Sequence, residues 1–302
     1  MSSRPHLNTV FVLGGGGNLG AVQVGMLYAL LAAGIKPDGL VGTSIGALNG
    51  AFLAGHPDLA GIKALAALWE SVRRRDVFPM RIGGLLRGAF GQQPFLFGSL
   101  GLRRMLRRAD LGFERLEEAP IPLRVVATDL GARDAMVLER GDVVPALLAS
   151  SAIPGVYPPV EIDGRTLVDG GIVANNPIAQ AEAFDPQVIY VLPTLPDYPY
   201  QLPANALVMM QRVMALAGFS AEQRALTEAA SRREVRVLPV PESAAKLSLF
   251  DFGATRRLID EAYLLTTAWL RGSGSRLPQE VGSFPRHVPG RTPFGAVQSE
   301  VA

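Results

Sequence analysis

The chain has 302 residues, 48% of them hydrophobic and only 19% charged, which is enough apolar material for a sizeable core in one large domain or two ordinary ones. A formal net charge of +2 gives no electrostatic footprint for nucleic acid, and the lack of any cysteine excludes disulfides, zinc–thiolate sites and iron–sulfur clusters. The apolar stretch Thr9 to Leu13 is too short for the core of a secretory signal, and no uninterrupted apolar segment approaches the ~18 residues of a spanning helix, so a cytoplasmic protein with at most peripheral membrane contact is expected.

Thr9 to Leu13 is a β-branched run that reads as a buried strand, followed by four glycines, Gly14 to Gly17. Ala21 to Ala33 then carries apolar residues at helical spacing and stops at Gly34. A short strand at Gly39 to Val41 leads into "GTSIGALNGAFLAG", a tight turn running into a small-residue helix. Residues 60–110 alternate helical stretches with arginine clusters and Gly- and Phe-rich breaks, and read as a helical excursion at the periphery of a sheet. Strands resume at Leu123 to Thr128 and Met136 to Leu138, and a helix begins at Asp142. Val160 to Ile162 and Thr166 to Val168 predict a hairpin closed over Asp163 and Gly164. Strands at Val188 to Leu192 and Val235 to Val240 flank a long helix over about 204–232, and a last helix covers about 254–271. Residues 272–302, rich in Gly, Ser and Pro, are expected to be a disordered tail. Strands alternating with helices over 7–271 predict one α/β domain with a mainly parallel central sheet.

A glycine loop between a strand and a helix brings backbone amides close to something anionic. Gly15-x-Gly17-x-x-Gly20 satisfies the dinucleotide fingerprint, but that reading also needs a ribose-binding acid at the end of the second strand. The nearest acid, Asp38, precedes that strand, so a nucleotide-binding oxidoreductase loses its second support. In place of the acid stands Gly42-Thr43-Ser44-Ile45-Gly46, a G-x-S-x-G pentapeptide at a strand-to-helix junction. Its two glycines permit the sharp turn that exposes a serine Oγ above a sheet. With both loops at the carboxyl edge of neighbouring parallel strands, the amides of Gly15, Gly16 and Gly17, together with that of Ile45, are candidates for an oxyanion hole facing Ser44.

A nucleophilic serine needs a base, and the three histidines are poorly placed for it: His6 precedes the first strand, His56 lies about three turns (~15 Å) beyond Ser44, and His287 falls in the tail. A carboxylate acting directly on the serine is the alternative. Asp169, ahead of Gly170 and Gly171 in "TLVDGGIVANNP", is one candidate, and Asp129 in "VATDLG" is its rival at another strand end.

Taken in order, "LGGGGNLGAVQVGML", "GTSIGALNG", "VVATDLG", "ASSAIPGVYPPV" and "VDGGIVANNP" resemble the patatin-like phospholipase family over most of residues 9–271. The resemblance implies a three-layer α/β/α sandwich, a Ser-Asp dyad with Ser44 as nucleophile and Asp169 as its activating partner, and an oxyanion hole at Gly15 to Gly17. It implies hydrolysis of acyl esters of phospholipids, lysophospholipids or related lipids, with neither metal nor cofactor. Thioesterase or acyltransferase activity would use the same site, and a non-catalytic lipid-binding relative would have lost the dyad. The family commonly carries Lys or Arg just before the last glycine of the loop, where this chain has Leu19.

The excursion between Ser71 and Asp110 sets Arg73, Arg74, Arg75, Arg103, Arg104, Arg107 and Arg108 beside Phe78, Met80, Phe90, Phe95, Leu96 and Phe97. Arginines that pair with lipid phosphate and rings that enter the interfacial layer make this the expected contact with an anionic membrane.

Overall fold

β1 (Thr9–Leu13) sends Val10 and Val12 into one apolar layer and Phe11 and Leu13 into another, and all four are fully buried. A strand covered on both faces belongs at the centre of a sheet. β1 sits there in the computed structural model, which describes residues 7–77, 94–195, 206–245, 247, 252–272, 291–292 and 295–296. The other strands are β2 (Gly39–Thr43), β3 (Leu123–Asp129), β4 (Asp134–Leu138), β5 (Val160–Ile162), β6 (Arg165–Asp169), β7 (Val188–Leu192) and β8 (Glu234–Val237). Their order is β5-β6-β3-β2-β1-β7-β8, with β4 also paired to β3. The run from β3 to β8 is parallel, whereas β4, β5 and β6 pair antiparallel.

Helices cover both faces, which gives the expected α/β/α layering. One layer packs Phe11, Leu13 and Leu40 beneath α1 (Ala21–Ala32), α2 (Ile45–Gly55), α3 (Leu59–Ser71), α4 (Leu100–Arg108), α5 (Val143–Ser150) and α7 (Thr255–Gly272). The opposite layer packs Val10, Val12, Val41 and Ile189 against Ala229 of α6 (Ala206–Arg232) and against Ile178 and Phe184, which precede β7. α1 is buried on every side from Ala21 to Leu31, as its apolar sequence requires. Among the described residues no helix is long and apolar enough to cross a membrane.

β3 carries a constraint that the sequence did not reveal. Val125 pairs with both Gly42 of β2 and Leu138 of β4, and Ala127 pairs with both Asp169 of β6 and Met136 of β4. A strand has only two edges, so β2 and β6 share one edge of β3, end to end. β2 occupies it as far as Thr43, opposite Val126, and then turns away. β6 arrives from the other direction and ends on Asp169, opposite Ala127, one residue further on. The expected hairpin forms over Asp163 (φ 50°) and Gly164 (φ 72°), the positive-φ pair that a two-residue turn of this hand requires. Its second strand, however, runs on to join the main sheet.

The excursion is helical in α3, Arg74–Val77 and α4, and extended at Phe95, which bridges Gly155, while Phe78, Met80 and Phe90 lie outside the described residues. So does most of the expected tail, within which Arg291–Thr292 and Gly295–Ala296 pair antiparallel.

A buried polar relay ties the helices to the sheet. Trp69 Nε1 donates to Asn49 Oδ1 (2.9 Å), and Asn49 Nδ2 donates to Gln23 Oε1 (2.8 Å) and to the Gly20 carbonyl (3.0 Å). Gln23 Nε2 in turn donates to the carbonyls of Gly14 (2.8 Å) and Leu192 (2.9 Å). A satisfied buried network is stable, but one with a missing member leaves desolvated groups unpaired. Gln23→Leu should therefore lower the unfolding free energy by about 2–3 kcal/mol, read as a lower denaturant midpoint at constant m-value.

Candidate active site

Ser44 sits at the turn between β2 and α2 with φ 53° and ψ −123°, a conformation that costs a non-glycine residue about 1–3 kcal/mol. The elbow is possible because Gly46 packs directly on the carbonyls of Leu13 and Gly14, where a side chain would collide with the backbone. Gly42 makes a similar approach to Ala47. The strained backbone is held by Ser150, the last residue of α5. Its Oγ accepts the Ser44 N–H (2.8 Å) and donates to the Val126 carbonyl of β3 (2.6 Å).

Because β2 and β6 meet on β3, Ser44 leaves the sheet where Asp169 ends its strand. Ser44 Oγ donates to Asp169 Oδ2 at 2.6 Å, while Asp169 Oδ1 accepts the Gly171 N–H at 2.8 Å. The carboxylate is 5% exposed, and burial pushes its pKa up to about 6, although the bonds from Ser44 and Gly171 favour the charged form. Gly170 lies flat against the Val126 carbonyl, which lets the chain turn directly after the aspartate.

The glycine loop follows β1 at the same edge of the sheet. The Gly15 N–H donates to the Asn175 carbonyl (3.1 Å), so one of the three amides expected to converge on an oxyanion is already engaged. No hydrogen bond among the described residues engages the amides of Gly16, Gly17 or Ile45. Gly17 adopts φ 58°, and Gly16 lies against Thr194, whose Oγ1 donates to the Gly15 carbonyl. Gly20 packs against Ile45 and Trp69, joining the loop to the elbow. Leu19, at the position where a basic residue is common, is fully buried in the core, so its place is an apolar one.

Above Ser44 opens an apolar cavity. α2 lines it with Ile45, Leu48 and Phe52, α3 with Leu65, Leu68 and Trp69, and α4 roofs it with Leu102, Met105 and Leu106. Along α2, from Ser44 to Phe52, it extends about 12 Å at the helical rise per residue. The outer side of α4 carries Arg104, Arg107 and Arg108 in the open, with Arg103 half-buried. None of these four forms an ion pair among the described residues.

The other candidates fall elsewhere. Asp129 Oδ2 is held by Arg165 (2.6 Å) and its Oδ1 caps the Gly131 and Ala132 amides, which keeps its pKa below the ordinary carboxylate value. It is a turn-forming anion rather than a partner of Ser44. His56 ends α2, with Nε2 at 2.8 Å from the Asp110 carbonyl, and His6 and His287 lie outside the described residues. β2 ends in Thr43 and is followed by Ser44, with no acid there to hold a ribose.

Two contributors were not anticipated. Ser150 stands in the quoted "ASSAIPG", but nothing in that string says that its hydroxyl turns to another strand's elbow. Glu222 of α6 accepts from Asn176 Nδ2 and from the Asn176 amide (3.3 Å), and burial raises its pKa. It thereby fixes the loop whose Asn175 carbonyl pins Gly15.

The family profile described as Patatin-like phospholipase matches residues 11–182. An uncharacterized NTE family protein of Mycobacterium bovis is 34% identical over 181 residues, covering 59% of this chain and 46% of the relative. Patatin-like phospholipase domain-containing protein 7 of Rattus norvegicus is 30% identical over 183 residues, 60% of this chain and 13% of the relative. The chain thus spans less than half the length of either of these relatives. Among solved structures, ExoU of Pseudomonas aeruginosa, crystallised with SpcU, gives a TM-score of 0.41 at 16% identity over 89% of this chain and 53% of that one. VipD of Legionella pneumophila gives 0.38 at 16% identity over 85% and 67%. With the profile covering more than half of its residues, from the third position of β1 to beyond Asp169, the chain belongs to the patatin-like phospholipase family.

Proposed function

We propose that the protein is a serine acyl hydrolase that cleaves fatty-acyl esters of phospholipids, lysophospholipids or related lipids through an acyl-enzyme. The observation that carries this reading is the 2.6 Å bond from Ser44 Oγ to a buried Asp169 carboxylate, at the mouth of an apolar cavity. Asp169 Oδ2 takes the Ser44 proton as Oγ attacks the ester carbonyl. The amides of Gly16, Gly17 and Ile45 hold the oxyanion, each such donor being worth ~3 kcal/mol. Asp169 returns the proton to the departing alcohol and then directs water onto the acyl-enzyme. A carboxylate of ordinary acidity is a weak base at neutral pH, and the burial that raises Asp169 corrects this. The acyl chain lies in the cavity beneath α4, whose arginine face meets the anionic surface of the lipid.

A fluorophosphonate probe should label the wild type and leave Ser44→Ala unlabelled; labelling of the variant would remove Ser44 as nucleophile. Asp169→Asn should lower kcat by at least ~10²-fold, whereas replacing His6, His56 and His287 together should leave most activity. A folded but inactive triple histidine variant would refute the dyad.

Because Asp169 must be ionised to act, kcat/KM should rise with pH through about 6 and level off above it. Stability should move the other way. The folded pKa lies above the unfolded value of ~3.9, so the fold binds this proton more tightly, and stability is lost as pH rises from ~4 to ~6. The loss is on the order of 3 kcal/mol. Asp169→Asn should accordingly exceed the wild type in thermal stability above pH ~7, with the gap closing below pH ~4.

Changing Arg103, Arg104, Arg107 and Arg108 to Gln should weaken co-sedimentation with anionic vesicles steeply, at ~1 kcal/mol for each cation, and leave turnover of a soluble short-chain ester near wild type. Concentrated salt should imitate the substitution. Unchanged vesicle binding would reduce these residues to ordinary surface charge.

A further inference from the structure

The dyad is held by two residues at the end of α5, Ser150 and Ala152. Ser150 Oγ accepts the Ser44 N–H at 2.8 Å, and the Ala152 carbonyl accepts the Asp169 N–H at 3.0 Å. Ser151 lies between these two anchors. Ser151 is among the residues that line the same apolar cavity as Ser44, it is 8% exposed, and its enclosed Oγ has no hydrogen-bond partner among the described residues. A buried hydroxyl without a partner is costly. The cavity wall is mostly apolar, with Asn18, Asn49 and Tyr157 also in its lining, and the polar end of a ligand that reaches the Ser151 hydroxyl would relieve it.

We infer that Ser151 is a further catalytic residue, whose O–H donates a hydrogen bond to the alkoxy oxygen of the scissile ester; this rests on the acyl-hydrolase reading above. Chain position makes the assignment. The amides proposed to receive the carbonyl oxygen belong to the glycine loop and to the start of α2. Ser151 belongs to a different segment, joined through Ala152 to the strand end that carries Asp169, from which the leaving oxygen takes its proton. In the step itself, Ser44 Oγ bonds to the carbonyl carbon after passing its proton to Asp169 Oδ2. The bond from that carbon to the alkoxy oxygen breaks, and its electron pair stays on the oxygen. Asp169 delivers the proton there and the alcohol departs, leaving an ester on Ser44 and the Asp169 carboxylate restored. Ser151 keeps its own proton throughout and steadies the oxygen while charge gathers on it.

This role is selective for poor leaving groups, which a purely structural role is not. The experiment compares kcat/KM, which reports acylation, for ethyl butyrate and p-nitrophenyl butyrate in wild type, Ser151→Ala and Ser151→Thr, with fluorophosphonate labelling rates measured alongside. Ser151→Ala should lose about tenfold on the ethyl ester, the worth of one neutral hydrogen bond, and stay within about twofold on the nitrophenyl ester. Its labelling rate should match the wild type, since no alkoxide leaves in that reaction, and Ser151→Thr should recover the ethyl ester. Equal losses on both esters, or no loss on either, would overturn the assignment. A wild type that cleaves neither ester and takes no label would instead bring down the acyl-hydrolase reading, and this inference with it.

Discussion

The site depends on one shared strand edge. β3 offers a single row of backbone groups to two strands, β2 as far as Val126 and β6 from Ala127 onward. Where they abut, the chain of β2 must leave the sheet, and it does so through the elbow that carries Ser44. β6 must stop, and it stops on Asp169. The 2.6 Å bond between the two side chains is therefore set by main-chain register rather than by a flexible loop. A slip of one residue in β6 would send Asp169 to the opposite face of the sheet. The glycines on either side of the junction serve this abutment, because Gly46 and Gly170 let backbone pass against backbone where any side chain would force the strands apart.

The same enclosure sets the electrostatics. Asp169 and Ser44 are surrounded by the apolar layer that also walls the cavity, so excluding water and making the carboxylate more basic are one structural act. Asp129, a comparable distance along its own strand, shows the opposite outcome. It is just as buried, but Arg165 and two turn amides compensate its charge and drive its pKa down. Two aspartates at neighbouring strand ends thus differ in chemistry because one faces a cation and the other faces a hydroxyl.

Local signals were legible in the sequence. The strained serine between Gly42 and Gly46, the strand–glycine–helix unit and the Asp163-Gly164 turn all follow from short-range backbone chemistry. The periodicity of the helices, including the one at 204–232, located them to within a few residues. What spacing could not decide was pairing. Asp169 and Asp129 read alike until the resemblance separated them, because nothing local says that β6 lies against β3 in the place that β2 vacates. The amide of Gly15 looked as available as those of Gly16 and Gly17, since its acceptor, the Asn175 carbonyl, lies far away in the chain. Ser150 and Glu222 were invisible for the same reason. Each acts through a contact made only when distant segments close.

The polar relay beneath the cavity has an optical consequence. The chain has two tryptophans, and one of them, Trp69, both lines the cavity and is anchored by its indole N–H to Asn49. The ring cannot swing away when the cavity fills, so any change in its surroundings comes from what enters beside it. Under the proposed function, an acyl chain entering under α4 would replace whatever medium bathes one face of a fixed chromophore, while Trp269, on α7 and absent from the cavity lining, supplies a steady background. Filling of the cavity would thereby carry its own emission signal, in wavelength and in quenching, without a label.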